Sequence, residues 1–157
     1  MIQSMQALIF VCAMLVVNIA GAATAGVHLR STKGDFIEVR DRVVMALENR
    51  GLVINYTAKV GNMLARTGRD LGRERRIYAD AEVLEFCSAA LSRDTMEADP
   101  RNIVFCPYSI AVYSLPQVPG TVYLSYRLPV AQGSGQSIRA LRAVEKLLAD
   151  VVREAQK

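Results

Sequence analysis

"NIVFCPYSIAVYSLPQVPGTVYLSYRL", residues 102–128, decides the fold class. Its first half, through Leu115, is dominated by β-branched and aromatic side chains and reads as the strongest strand of the chain. Pro107 has no amide hydrogen to give to a ladder, so the start of that strand belongs at an edge or a bulge. "QVPG", residues 117–120, has the composition of a turn. Beyond it Val122, Leu124, Tyr126 and Leu128 alternate onto one face. Strands joined by so short a turn pair antiparallel, and hairpin-like pairing of this kind dominates the second half of the chain.

Downstream, "PVAQGSGQS" is a flexible connector into a final helix, "IRALRAVEKLLADVVREAQK", residues 138–157. There Leu141, Val144, Leu148, Val151 and Ala155 recur at spacings of three and four, an apolar stripe suited to covering a sheet face. Upstream, "SAALSRDTMEADP" predicts a helix with Ser88 as its cap and Pro100 past its end. "AEVLEFCS", residues 81–88, fits a helix or a strand equally well. Residues 61–76 form a glycine- and arginine-rich connection with one helical turn near Met63 and Leu64.

"LVINYTAKV" alternates: Leu52, Ile54, Tyr56, Ala58 and Val60 are predicted inward, Asn55, Thr57 and Lys59 outward. Before it, "FIEVRDRVVMALENRG" is a helix capped by Asp35 and ended by Gly51. Its core positions are Phe36, Val39 or Arg40, Val43, Val44 and Leu47. "GVHLRST" is a first strand, with Val27 and Leu29 on one side. Strands and helices are interspersed, so the class is α+β.

The N-terminus sets the expected compartment. Residues 1–27 contain no Asp, Glu, Lys or Arg, and the apolar run Ala7–Val17 leads to Ala23-Thr24-Ala25, an A-x-A cleavage pattern. Residues 1–25 are therefore read as a signal peptide and the product as periplasmic or secreted. Because "MIQSMQ" lacks a basic residue, the alternative is an uncleaved anchor facing the periplasm, the one case in which membrane contact is expected. The remainder divides into an α+β domain at 26–132 and a C-terminal amphipathic helix at 133–157 that packs on it. Cys12 leaves with the signal, so Cys87 and Cys106 stay in an oxidising compartment, where thiols tend to pair.

The net charge is +4, and fifteen of the nineteen basic residues are arginine. The densest cluster, "RTGRDLGRERR", offers Arg66, Arg69, Arg73, Arg75 and Arg76 as an anion-binding loop; the plainer reading is a solvated segment with local ion pairs. Nucleic-acid binding is not expected, since it requires basic residues gathered with stacking aromatics. The single histidine, His28, is the only residue on which a histidine-based triad could draw. There is no C-x-x-C, C-x-x-C-H, P-loop or G-x-S-x-G. No catalytic residue and no metal site is assigned, and no cofactor is expected.

The stretch "AEVLEFCSAALSRDTMEADPRNIVFCPYSIAVYSLPQVPGTVYLSYR" resembles the domain-of-unknown-function family 302, with the similarity running from about Val27 to Pro129. Its most specific part, "EFCS…MEADPRNIVFCPY", is similar to an exported subgroup carrying paired cysteines. The resemblance implies a fold like that of the TATA-binding protein, a curved antiparallel sheet backed by helices. It also implies homodimers and makes "AEVLEFC" a strand. No activity or catalytic residue comes with it.

In that topology Cys87 ends one strand and Cys106 begins the next, with a short helix between them. Three readings of the pair stay open: a structural disulfide, a thiol–disulfide redox couple, or soft ligands joined by Met63, Met96 or His28 for copper or haem. The leading expectation is a small exported non-enzymatic domain of the bacterial cell envelope, a dimeric module binding a small-molecule ligand or an envelope protein. Its competitors are a periplasmic thiol or sulfur redox protein using Cys87 and Cys106, and an accessory subunit of a membrane electron-transfer complex.

Overall fold

The computed structural model describes residues 26–157; the export segment read at 1–25 lies outside them. In chain order the elements are β1 (Val27–Lys33), α1 (Phe36–Glu48), β2 (Val53–Ala58), α2 (Val60–Asp70), β3 (Asp80–Cys87) and α3 (Ala89–Ala98). A 3-10 helix (Pro100–Phe105), β4 (Tyr108–Ser114), β5 (Thr121–Arg127) and α4 (Gly135–Ala155) complete the chain. The strands form one antiparallel sheet in the order β1-β5-β4-β3-β2. The α+β class and the helix-backed antiparallel sheet therefore hold, and the ambiguous segment at 81–88 is a strand.

One face of the sheet builds the core. Phe86, Ile110, Val112, Val122 and Leu124 are almost completely buried against Val39, Val43 and Leu47 of α1 and Val144, Leu148 and Val151 of α4. Each such side chain contributes about 1.5–3 kcal/mol relative to exposure. All five stripe positions of the last helix are buried. α1 starts where Asp35 accepts hydrogen bonds from the amides of Ile37 and Glu38, and Gly51 turns the chain away with φ +68°. Arg42 Nε of α1 donates to the Ala155 carbonyl at 2.9 Å, and Arg50 in the turn after α1 pairs with Glu154 at 2.7 Å, so both tie this end of α1 to α4.

Three local expectations are corrected. The alternation of β2 breaks at a bulge between Ile54 and Tyr56: Ile54 stays opposite Phe86 on the core side, but Tyr56 comes opposite Glu85. The extra residue, Asn55, reverses the pleat, so Tyr56 is exposed rather than inward. The connection at 61–76 contains a full helix, α2. It docks through Gly61, where a Cβ would come within 2.9 Å of the Ala81 amide nitrogen, so the absence of a side chain allows the close approach. Finally, the strand read from Asn102 begins only at Tyr108. Asp99 Oδ1 accepts from the Arg101 amide and Pro100 fills the first turn, which starts a 3-10 helix instead. Asn102 is held inside that helix by donating to the Thr95 carbonyl at 2.8 Å and to Ser137 Oγ at 2.9 Å.

The opposite face of the sheet carries Leu29, Tyr123, Tyr113, Ala111, Val83 and Tyr56, as the registers require. None of these belongs to the core cluster. Tyr113 and Tyr123 stack with ring centroids 5.1 Å apart, and Tyr78 meets Tyr113 edge-on at 5.4 Å.

Candidate functional site

The corner from β3 to β4 brings the two cysteines together. Cys87 closes β3, Ser88 caps α3 by accepting from the Leu91 amide, and the 3-10 helix returns the chain to Cys106. The sulfurs lie 3.2 Å apart and half-buried, with Ser92 Oγ 3.7 Å from the Cys106 sulfur. Ser92 also donates to Tyr108 Oη at 3.4 Å. The Cys106–Pro107 peptide is cis. Burial pushes the Cys87 thiol up to about 11; the neighbouring Cys106 adds to the rise, while the Asn55 side chain opposes it. A thiol held that far above neutrality is almost wholly protonated and a poor nucleophile at pH 7.

The other expected site residues are dispersed. Arg66 and Arg69 lie on α2, and Arg73, Arg75 and Arg76 in the loop after it, all exposed. Arg76 folds back to donate to the carbonyls of Tyr78 and Ala79 at 3.0 and 2.5 Å. The ion pairs among the described residues all lie elsewhere, so the segment is not laced internally as the plainer reading supposed. Lys59–Arg76 holds six cations and two carboxylates, a surplus of four that equals the net charge of the whole chain.

His28 stacks on Tyr126 at 4.9 Å and accepts from Arg30 Nε at 3.1 Å. Burial first, and the Arg30 charge second, lower its pKa, so the ring is neutral at pH 7. Met63 in α2, Met96 in α3 and His28 in β1 sit on separate elements. Among the described residues no group of three or more His, Cys, Asp and Glu is placed to hold a metal ion. No described helix is long and apolar enough to cross a membrane.

Sequence reasoning missed a cavity of about 300 Å³ next to this corner. The β4–β5 ladder runs only from Ser114↔Val122 to Ala111↔Ser125. On either side the pairing goes further, to Phe86↔Tyr108 between β3 and β4 and to Val27↔Arg127 between β1 and β5. The two central strands therefore part at this end. Tyr108 and Ser109 line one side of the opening, Arg127 and Leu128 the other, and Val144 and Leu148 of α4 form its floor. Phe105 and Pro107 close the wall next to Cys106. Pro107 was the one sequence hint, because it placed an irregularity at the start of β4.

Comparison with known proteins agrees with this architecture. The family model for the domain of unknown function DUF302 matches residues 27–155, through the C-terminal helix. The crystal structure of an uncharacterized conserved DUF302 protein from Bacillus stearothermophilus is similar in fold, with a TM-score of 0.68 at 16% identity. The match covers 83% of this chain and 98% of that one. No curated protein matches the chain. The chain belongs to the DUF302 family.

Proposed function

We propose that this protein is an exported, non-enzymatic binding module of the cell envelope that works as a homodimer, with Cys87 and Cys106 joined in a structural disulfide. The observation that carries the reading is the uncovered sheet face. α1 and α4 pack on one side only, while Leu29, Val53 and Tyr56 stay 52%, 71% and 61% exposed on the other, beside the Tyr113–Tyr123 stack. Exposed apolar side chains at both edges of this face, flanking the tyrosine stack, support an interaction surface there. A second copy of the same face is the occupant proposed, because a two-fold arrangement needs only one self-complementary patch. The family resemblance points the same way.

The cysteine geometry supports the disulfide. The sulfurs are in contact at 3.2 Å, and burial keeps Cys87 protonated, so Cys87 is not the thiolate that attacks in a redox couple. Sedimentation of the chain from Gly26 onward tests the module. Wild type should sediment as a dimer and Tyr123→Glu as a folded monomer. A wild type that stays monomeric at every accessible concentration, or one that turns over a defined substrate with saturation, contradicts the reading.

A further inference from the structure

We infer that α2 and the loop after it form a docking surface for an anionic phospholipid membrane. The charge of the chain is concentrated there. Residues 59–76 hold six cations against two carboxylates, Asp70 and Glu74, whereas the rest of the chain holds thirteen of each sign and balances. Every ion pair among the described residues lies outside this segment, so Arg66, Arg69, Arg73 and Arg75 keep their charge for a partner. α2 has no buried residue. Its half-covered positions, Gly61, Leu64, Thr67 and Gly68, recur at helical spacing and mark the side resting on β3, where Gly61 meets Ala81. Arg66 and Arg69 are exposed on the other side, with Asn62, Met63, Ala65 and Asp70.

The loop is fastened to this helix rather than trailing from it. The Arg73 amide donates to the Gly68 carbonyl at 2.7 Å, and a Cβ on Gly68 would come within 2.8 Å of the Arg73 carbonyl oxygen. Arg73 is thereby held against the last turns of α2. At the far end Arg76 donates to the carbonyls of Tyr78 and Ala79, which fixes where the loop enters β3. Beside the arginines, Met63, Leu71 and Ile77 are 43%, 68% and 50% exposed. Guanidinium forks pair with phosphate groups, and apolar side chains on a basic amphipathic helix enter the boundary between headgroups and acyl chains. A nucleic acid would use the same cations but leave the apolar side chains in water. Residues 59–77 also contain no aromatic side chain on which bases could stack.

Co-sedimentation with vesicles tests the assignment, using residues 26–157, which contain the whole sheet and core. Vesicles of phosphatidylcholine with about one third phosphatidylglycerol should bind the protein at about 0.1 M salt, and vesicles of phosphatidylcholine alone should not. Raising the salt to about 1 M shortens the screening length from about 10 Å to about 3 Å and should release the protein. Each cation at an anionic surface is worth about fivefold in affinity, so Arg66→Gln with Arg69→Gln should weaken binding about tenfold or more. Arg139→Gln with Arg142→Gln removes the same charge from exposed positions on α4 and should change binding less than about threefold. All four arginines are exposed and outside the ion pairs of the described residues, so both double variants should fold like wild type. Three results would overturn the surface: no preference for the anionic vesicles, equal loss with the two double variants, or tighter binding to a DNA duplex than to anionic vesicles at the same salt.

Discussion

The disulfide proposed between Cys87 and Cys106 should supply a large part of this domain's stability, so reducing it should lower stability without changing the fold. The two residues are separated by 19 positions, and in the chain-entropy model cross-linking a loop of that size removes about 3 kcal/mol of conformational freedom from the unfolded state. For a folded unit of about 130 residues, unfolding entropy is on the order of 0.27 kcal/mol per kelvin, so the melting temperature should fall by about 11 °C. The reduced thiols already sit in contact at 3.2 Å, so little native strain should offset this difference. The assay is thermal unfolding by circular dichroism with and without tris(2-carboxyethyl)phosphine, and with Cys87→Ser plus Cys106→Ser as a double variant. Far-ultraviolet spectra of the folded forms should coincide. The reasoning is refuted if oxidised and reduced wild type melt within about 2 °C of each other, since the loop-closure contribution would then be absent.

Gly61→Ala should destabilise the domain by about 1–3 kcal/mol in urea unfolding, because the new Cβ meets the Ala81 backbone at 2.9 Å and neither element can yield cheaply. Asn102→Ala removes the donor shared by the Thr95 carbonyl and Ser137 Oγ and should cost about 1–3 kcal/mol in the same assay. In the reduced protein the folded Cys87 thiol binds its proton more tightly than the unfolded one. The stability that it contributes is therefore complete below the ordinary value of 9.0 and is lost as the pH rises toward about 11. Alkylation by iodoacetamide should show Cys87 titrating near the upper value, and the stability difference between reduced wild type and Cys87→Ala should shrink across that window.

The sequence was most readable where local pattern and burial coincide. α4 keeps its stripe from Leu141 to Ala155 because the whole helix lies on one surface, so a constant period maps onto a constant environment. β5 behaves likewise: Val122, Leu124 and Tyr126 are all buried. Pattern failed where one residue changes the phase. Asn55 reverses β2 without any glycine or proline to announce it, and Asn102–Phe105 has strand composition but follows a capped Asp99-Pro100 start. α2 escaped notice because Gly61 and Gly68 count against a helix, whereas Gly61 is what lets it approach β3. The proximity of Cys87 and Cys106 was legible as the return of a strand–helix–strand excursion. The cavity was not, because it arises where pairing between β4 and β5 stops, a relation between strands that neither strand encodes alone.

Intact-mass analysis of the native protein tests the proposed export and the proposed cysteine staple together. The predicted species begins at Gly26 and gains two hydrogens on reduction, with no adduct. A chain that retains residues 1–25, or one whose mass does not change on reduction, contradicts it.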